Sequence, residues 1–399
     1  MIDLASRVSS AAPSATLAVA AKARERARKG LEVISFGTGE PDFDTPAHIR
    51  AAAAEALEKG LTRYPPVNGI EELREAVASE LESLRGLSYS PSSVLVTVGA
   101  KQAIYNLCQA VLEPGSEAVI VSPYWVSYPE MVSLAGARPV VVHADFEEDF
   151  VPQVKRIAAA MNEGTRLLML NSPSNPAGAV IPEATLFELA DVLRKYPKVV
   201  VMTDDIYSKI LFDDVRFSNL AMVAPDLRDR IVIADGVSKA YAMTGWRVGW
   251  AVGPDRLIKA MSIVQGQSTS GVTAFAQAGA IAALTGDQSV VDSMVEEFSL
   301  RRDRMTAMLN AIDGVSCRAP SGAFYAFPDV RKLMGRRYGD EELRTSGDMA
   351  RILIEKQGLA VVDGAPFGAE GFIRLSFAAS MEQIERGVSS LERFVTGLS

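Results

Sequence analysis

The chain has 399 residues, 48% of them hydrophobic and 23% charged, and a formal net charge of −8. That length exceeds one small core and suits a two-domain or large α/β protein, and the acidic balance excludes a phosphate-backbone binder, so no nucleic-acid partner is expected. No apolar run reaches the length of a membrane span, and two cysteines (Cys108, Cys317) with two histidines (His48, His143) leave no disulfide framework and no Cys- or His-based metal site.

Both cysteines read as reduced packing residues of a cytoplasmic protein. His48 follows Pro46 at an apparent helix start and His143 ends a valine-rich strand, so surface roles are expected for both. Proton transfer, if the protein is an enzyme, then falls to another residue type.

In chain order, "SAAPSATLAVAAKARERARKG" has the Ala, Ser and Arg content of a transit peptide. Its basic residues come late, at Lys22 to Lys29, and Pro13 and Ser14 interrupt an early helix, so no targeting segment is expected. From there β-branched runs alternate with helical patterns: "VLVTVGAKQAIYNLCQAVL", "EAVIVSPYWVSYPEM", "RLLMLNSPSNPAGAVI", "KVVVMTDDIYSKIL" and "RIVIADGVSKAYA". Continuous apolar strands spaced by helices predict an α/β fold with a mostly parallel sheet covered on both faces. From about Asp287 the pattern changes to a long charged helix, then short strands and helices. The expected division is an N-terminal segment (1–46) packed with a small α+β domain (287–399), and a large domain (47–286).

Ligands of open α/β sheets sit at the carboxyl ends of the strands. The polar residues that follow these strands are Gly99-Ala100-Lys101, Tyr124-Trp125, Asn171 to Asn175, Asp204 to Tyr207 and Ser238-Lys239, and one edge gathers them. Lys239 reads as a desolvated nucleophilic amine or as a solvated helix lysine. Asp204 pairs with a ring nitrogen or N-caps the next helix. Gly99 to Lys101 is a phosphate-binding helix start or a tight turn, and Arg247 a phosphate clamp or a surface arginine. Trp125 stacks on a flat ligand or in a core. Asn175 donates to a phenolic oxygen or shapes a turn before Pro176. Tyr207, three residues after Asp204, shares its helix face and reaches the same oxygen. Arg374, a lone charge in "GFIRLSFA", binds a carboxylate ligand or an internal partner. Together these describe a holder for a phosphorylated pyridine aldehyde, pyridoxal 5′-phosphate, and a carboxylate substrate.

Taken in order, "PSATLAV", "GTGEPDFDTP", "VTVGAKQA", "SPYWVSYPEM", "NSPSNPAGAV", "TDDIY", "SKAYAMTGWRVG", "GAFYAFP" and "IRLSFA" resemble the class I, fold type I pyridoxal-phosphate aminotransferases over nearly the whole chain. The resemblance is to the bacterial aspartate aminotransferase subgroup, which includes aspartate/prephenate enzymes. It implies that Lys239 forms the internal aldimine and shuttles the proton. It implies Asp204 on the pyridinium nitrogen, Asn175 and Tyr207 on the ring hydroxyl, and Trp125 stacked on the ring. It further implies a phosphate cup of Gly99, Ala100, Lys101, Ser238 and Arg247, with Tyr64 of "TRYPPVNGI" reaching it across a homodimer interface. Arg374, helped by the Gly39 backbone, matches the α-carboxylate site, and Ser14, Thr16 and Lys101 the distal carboxylate site. Relatives often carry Lys-Pro-Ser where this chain has Ala12-Pro13-Ser14, which weakens the case for a bulkier dicarboxylate such as prephenate. The resemblance therefore implies aspartate with 2-oxoglutarate first, and prephenate or aromatic exchange second. A pyridoxal-dependent lyase on the same fold and a catalytically silent regulator are the rivals. The matching segment starts within the first dozen residues, so no DNA-binding domain is expected ahead of it.

Overall fold

The β-branched runs form the centre of the molecule, whose computed structural model describes residues 2, 5–9 and 11–399. The first eight strands are β1 (Ile34–Ser35), β2 (Val94–Thr97), β3 (Glu117–Ser122), β4 (Arg138–His143), β5 (Thr165–Asn171), β6 (Val200–Asp204), β7 (Ile231–Gly236) and β8 (Gly249–Val252). Strands β2 to β8 make one seven-stranded sheet in the order β2-β8-β7-β6-β5-β3-β4. Strands β3 to β7 pair in parallel, and β8 opposes both of its neighbours. Every residue of β2, β7 and β8 is buried, because helices cover both faces of the sheet. That double cover is why these strands read as unbroken apolar runs rather than alternating ones.

On one face the helix Glu71–Arg85 buries Leu73, Val77 and Leu81 at i, i+4 and i+8. On the other, the helix Ala100–Val111 buries Ile104, Leu107 and Cys108 against Leu95, Ile120 and Met202. Each fully buried aliphatic side chain contributes roughly 1.5–3 kcal/mol to folding. Both cysteines are free and buried, and burial pushes each thiol up to about 12.

The carboxyl ends of the parallel strands carry the chemistry. Asn171 of β5 lies level with Asp204 of β6, and Asp204 with Ala234 of β7. Because β8 is antiparallel to β7, a short connection over 237–248 suffices, and that connection carries Ser238, Lys239 and Arg247. Gly249 opens β8 where it passes under the start of the helix Ala100–Val111. A Cβ there would lie 2.4 Å from the Ala100 amide nitrogen, so no side chain fits.

A second core forms around Phe298, Phe324, Phe377 and Phe394. Its 22-residue helix Ser289–Asn310 packs on the C-terminal helix Met381–Thr396, which buries Ile384, Val388, Leu391 and Val395. Six short strands complete it: β9 (Tyr325–Ala326), the hairpin β10 (Arg337–Tyr338) and β11 (Glu341–Glu342), β12 (Leu359–Ala360), β13 (Val362–Asp363) and β14 (Ile373–Ser376). An antiparallel sheet of order β13-β14-β9 presents Arg374, and β1 pairs in parallel with β12. The preceding helix Ala15–Arg28 is tied to the same part by Arg26, whose Nη1 donates to the Glu355 carbonyl at 3.2 Å.

Two local expectations fail. Residues 206–209 are a turn, so Asp204 caps no helix and shares no helix face with Tyr207. The bonds there span three residues, Asp205 O to Ser208 N at 2.7 Å and Tyr207 O to Ile210 N at 2.8 Å. The buried Arg85 holds the turn down, with Nη1 on Asp205 at 2.7 Å and Nη2 on Ser208 at 2.8 Å. His143 is exposed, as a surface histidine should be, but His48 is half-buried on the helix Ala47–Glu58 and its Nε2 has no hydrogen-bond partner. Neither histidine borders the cavity at the strand ends.

Candidate active site

The strand ends and β14 enclose a cavity of about 320 Å³, at the small end of the range for ligand sites. Lys239 stands in its wall, with Nζ donating to the Gly39 carbonyl at 2.6 Å. Burial, and then the neighbouring Arg374, lower its pKa to about 8. A fraction of the amine is therefore neutral and nucleophilic near neutral pH.

Asp204 faces the same space. Burial raises its pKa to about 6, against the opposing effect of the Tyr128 hydroxyl, which donates to Oδ2 at 2.6 Å, and of the Ile206 amide at 3.3 Å from Oδ1. It stays mostly ionised at pH 7, a buried carboxylate able to receive a protonated ring nitrogen. Asn171 braces it by donating from Nδ2 to the Asp204 carbonyl at 2.9 Å.

At one end of the cavity lie Ala100, Ser238 and Arg247. Gly99 precedes the helix Ala100–Val111 at φ +74°, no side chain caps that helix, and its first amides have no intrahelical acceptor. The Arg247 guanidinium lies over Gly99, where a Cβ would meet Nη2 at 2.7 Å. Free amides, a hydroxyl and a planar cation together make an anion cradle of phosphate type.

Arg374 is buried, 1% exposed. It donates from Nη1 to Asn175 Oδ1 at 2.9 Å and from Nη2 to the Gly37 carbonyl at 2.8 Å. Its Nε has no partner, and it stacks over the Tyr325 ring at 4.5 Å. Tyr325 in turn shares a hydroxyl contact of 2.8 Å with Tyr207. Lys101 and Trp125 flank the cavity together, with Nζ 5.0 Å from the ring centroid. Burial, then Arg247, hold the Lys101 pKa below its ordinary value. Thr16 also borders the cavity, whereas Ser14 touches it only through Thr16, their hydroxyls 3.0 Å apart, and lines a neighbouring cavity instead. Tyr64 is 98% exposed and outside the cavity of its own chain.

Four cations thus converge: Lys101, Lys239, Arg247 and Arg374. Among the described residues none forms an ion pair with a carboxylate. Arg374 is buried and Lys239 half-buried, whereas Lys101 and Arg247 are exposed, and cations gathered at one cavity without ion-pair partners suit an anionic ligand.

The sequence matches the family Aminotransferase class I and II over residues 32–391. The chain belongs to that family. Among its relatives is the aspartate/prephenate aminotransferase of Cereibacter sphaeroides, 45% identical over 97% of both chains. Among solved structures it is similar to the aspartate aminotransferase from Rhizobium meliloti (39% identity, TM-score 0.96, 100% of both chains). It is also similar to the Thermus thermophilus aspartate aminotransferase with maleate (41% identity, TM-score 0.91, 99% of this chain and 100% of the other). The cofactor of this aminotransferase is pyridoxal 5′-phosphate. The residues present fit it, since one cavity offers an anion cradle, a near-neutral lysine amine and a buried carboxylate.

Three groups of this aminotransferase escaped the sequence reading. Tyr128, buried and bonded to Asp204, was hidden in "SYPEM" by its resemblance to any helix-start aromatic. Tyr325 sits in "GAFYAFP", where its neighbours signal only a strand. Arg85 clamps the ends of β6 and β7 through Asp205 at 2.7 Å and Asp235 at 2.6 Å, a pairing across 120 and 150 residues that no local pattern announces.

Proposed function

We propose that this aminotransferase moves the amino group of L-aspartate to 2-oxoglutarate by a ping-pong cycle, giving oxaloacetate and L-glutamate. The observation that carries the reading is the set of four cations without carboxylate partners around one cavity. Arg247 answers the cofactor phosphate, and Arg374 and Lys101 are left for the two carboxylates of a dicarboxylic substrate. Maleate, seen in the Thermus thermophilus relative, is such a four-carbon dicarboxylate.

When bound, pyridoxal phosphate supplies an aldehyde for the amino group and a ring that takes up the electron pair released at Cα. The protein's residues do the rest. Gly99, Ala100, Lys101 and Ser238 hold the phosphate together with Arg247, and Asp204 keeps the ring nitrogen protonated. Trp125 covers the ring, and Tyr207 and Asn175 address its hydroxyl. Arg374, with the Gly39 backbone, grips the α-carboxylate in a bidentate pair, and Lys101, Thr16 and Ser14 take the distal one. Fixed between these two anchors, the Cα–H bond presents its proton to Lys239 Nζ, whose lowered pKa suits a general base.

Residues 47–286 form the cofactor-holding domain in this reading, and 287–399 with 1–46 the smaller domain. Two copies assemble so that Tyr64 reaches the phosphate of its partner's site, which accounts for a tyrosine left 98% exposed. The protein works in the cytoplasm, and no helix among the described residues is long and apolar enough to cross a membrane.

A second reading, exchange with prephenate, draws on the cavity of about 650 Å³ that adjoins Lys101 and gives a larger side chain room. Steady-state kcat/KM for L-aspartate, L-phenylalanine and prephenate as reaction partners tests the order. Aspartate should lead, and a higher value for prephenate reverses the assignment.

A further inference from the structure

The substrate cavity has an annex. The two share a wall at Lys101, and the annex holds about 650 Å³. Its far side is largely apolar, formed by Tyr105, Val126, Met131 and Leu134. Among the described residues its only charged side chains are Lys101 and Glu130. These two form no ion pair with each other. Instead Glu130 Oε2 accepts the Ala12 backbone N–H at 2.9 Å, which holds its carboxylate against the N-terminal segment. Lys101 therefore marks the boundary between a cationic chamber and an apolar one that contains a single carboxylate.

We propose that Glu130 is a specificity-determining residue, which closes the annex to substrates whose second carboxylate extends beyond Lys101 and leaves it open to apolar side chains. The proposal rests on the dicarboxylate reading of the main cavity. A four-carbon substrate ends at Lys101 and does not meet Glu130. A six-carbon dicarboxylate carries its second charge past Lys101 and into the annex, where the half-buried Glu130 carboxylate opposes it as a like charge. An uncharged ring or aliphatic chain meets Tyr105, Met131 and Leu134 without that penalty.

The test compares the cofactor-loaded wild-type protein with Glu130→Gln, whose amide oxygen still accepts the Ala12 N–H. Calorimetry measures binding of succinate, with four carbons, and adipate, with six. Kinetics compare L-aspartate with L-2-aminoadipate. Adipate affinity and kcat/KM for 2-aminoadipate should each rise about tenfold in the variant, while succinate and aspartate are unchanged. An unmoved adipate-to-succinate ratio, or a parallel rise for both ligands, overturns the proposal. If the wild-type protein does not transaminate aspartate at all, the substrate assignment fails, and the ratio of the two affinities, which needs no turnover, still decides the role of Glu130.

Discussion

Replacing Arg374 by Met separates binding from folding. In the folded chain the guanidinium makes two hydrogen bonds, to Asn175 Oδ1 and to the Gly37 carbonyl, and meets no carboxylate. Replacing a buried cation that has no carboxylate partner by an apolar side chain of similar volume relieves a desolvation penalty on the order of several kcal/mol. The two acceptors left without donors each cost about 1–3 kcal/mol. These terms nearly cancel, so the melting temperature of the protein should change little. Catalysis should behave otherwise. A bidentate grip on the α-carboxylate supplies two charge-assisted bonds of about 1.5–3 kcal/mol each. Losing both amounts to about 3–6 kcal/mol, or roughly 10²–10⁴-fold in kcat/KM. The assay is the transamination of L-aspartate beside that of β-alanine, which keeps the distal carboxylate and lacks the α-carboxylate. The variant should lose its advantage for aspartate and no further activity with β-alanine. Equal losses for both amines, or wild-type efficiency with aspartate, refute the assignment of Arg374.

Arg85→Ala leaves Asp205 and Asp235 buried without their cation, and should lower stability by about 3–5 kcal/mol in urea unfolding; the exposed Arg194→Ala, which breaks pairs with Asp191 and Asp226, should leave the midpoint where it is. The Lys239 amine loses its proton at about 8, so its capture of an aldehyde by the cofactor-free protein should accelerate as pH rises through 8 and level off above it. A rise continuing toward the ordinary lysine value near 10.5 contradicts the lowered pKa. If the proposed dimer shares its sites, mixing Tyr64→Ala and Lys239→Ala subunits should raise activity above that of either variant alone, because a mixed dimer would hold one site with both residues intact; no gain after subunit exchange rejects the shared site.

Much of this was legible in the chain because the chemistry sits directly after strands. Asp204, Asn175 and Lys239 each follow an apolar run that announces its own strand, and the sheet then brings their positions together. Arg374 stood out as a charge between Ile373 and Leu375, and its burial without an anionic partner removes the reading of an internal salt bridge. Local geometry was less visible. The helix expected after Asp204 gives way to a turn because Arg85, distant in sequence, captures Asp205 and Ser208. Tyr128 and Tyr325 act through partners far along the chain, so nothing near them in sequence distinguishes them from core aromatics. The annex and Glu130 likewise arise only when the N-terminal segment folds over the helix Tyr128–Leu134.

In the proposed function Lys239 acts on pyridoxal phosphate with a dicarboxylic amino acid. Absorbance spectra of the purified protein, taken before and after L-aspartate in the absence of any keto acid, test it most directly. A yellow band that converts to the pyridoxamine form with aspartate and returns with 2-oxoglutarate, and that is missing from Lys239→Ala, is the predicted result. A protein that gains no band even after added pyridoxal phosphate, or whose band ignores aspartate, contradicts the account.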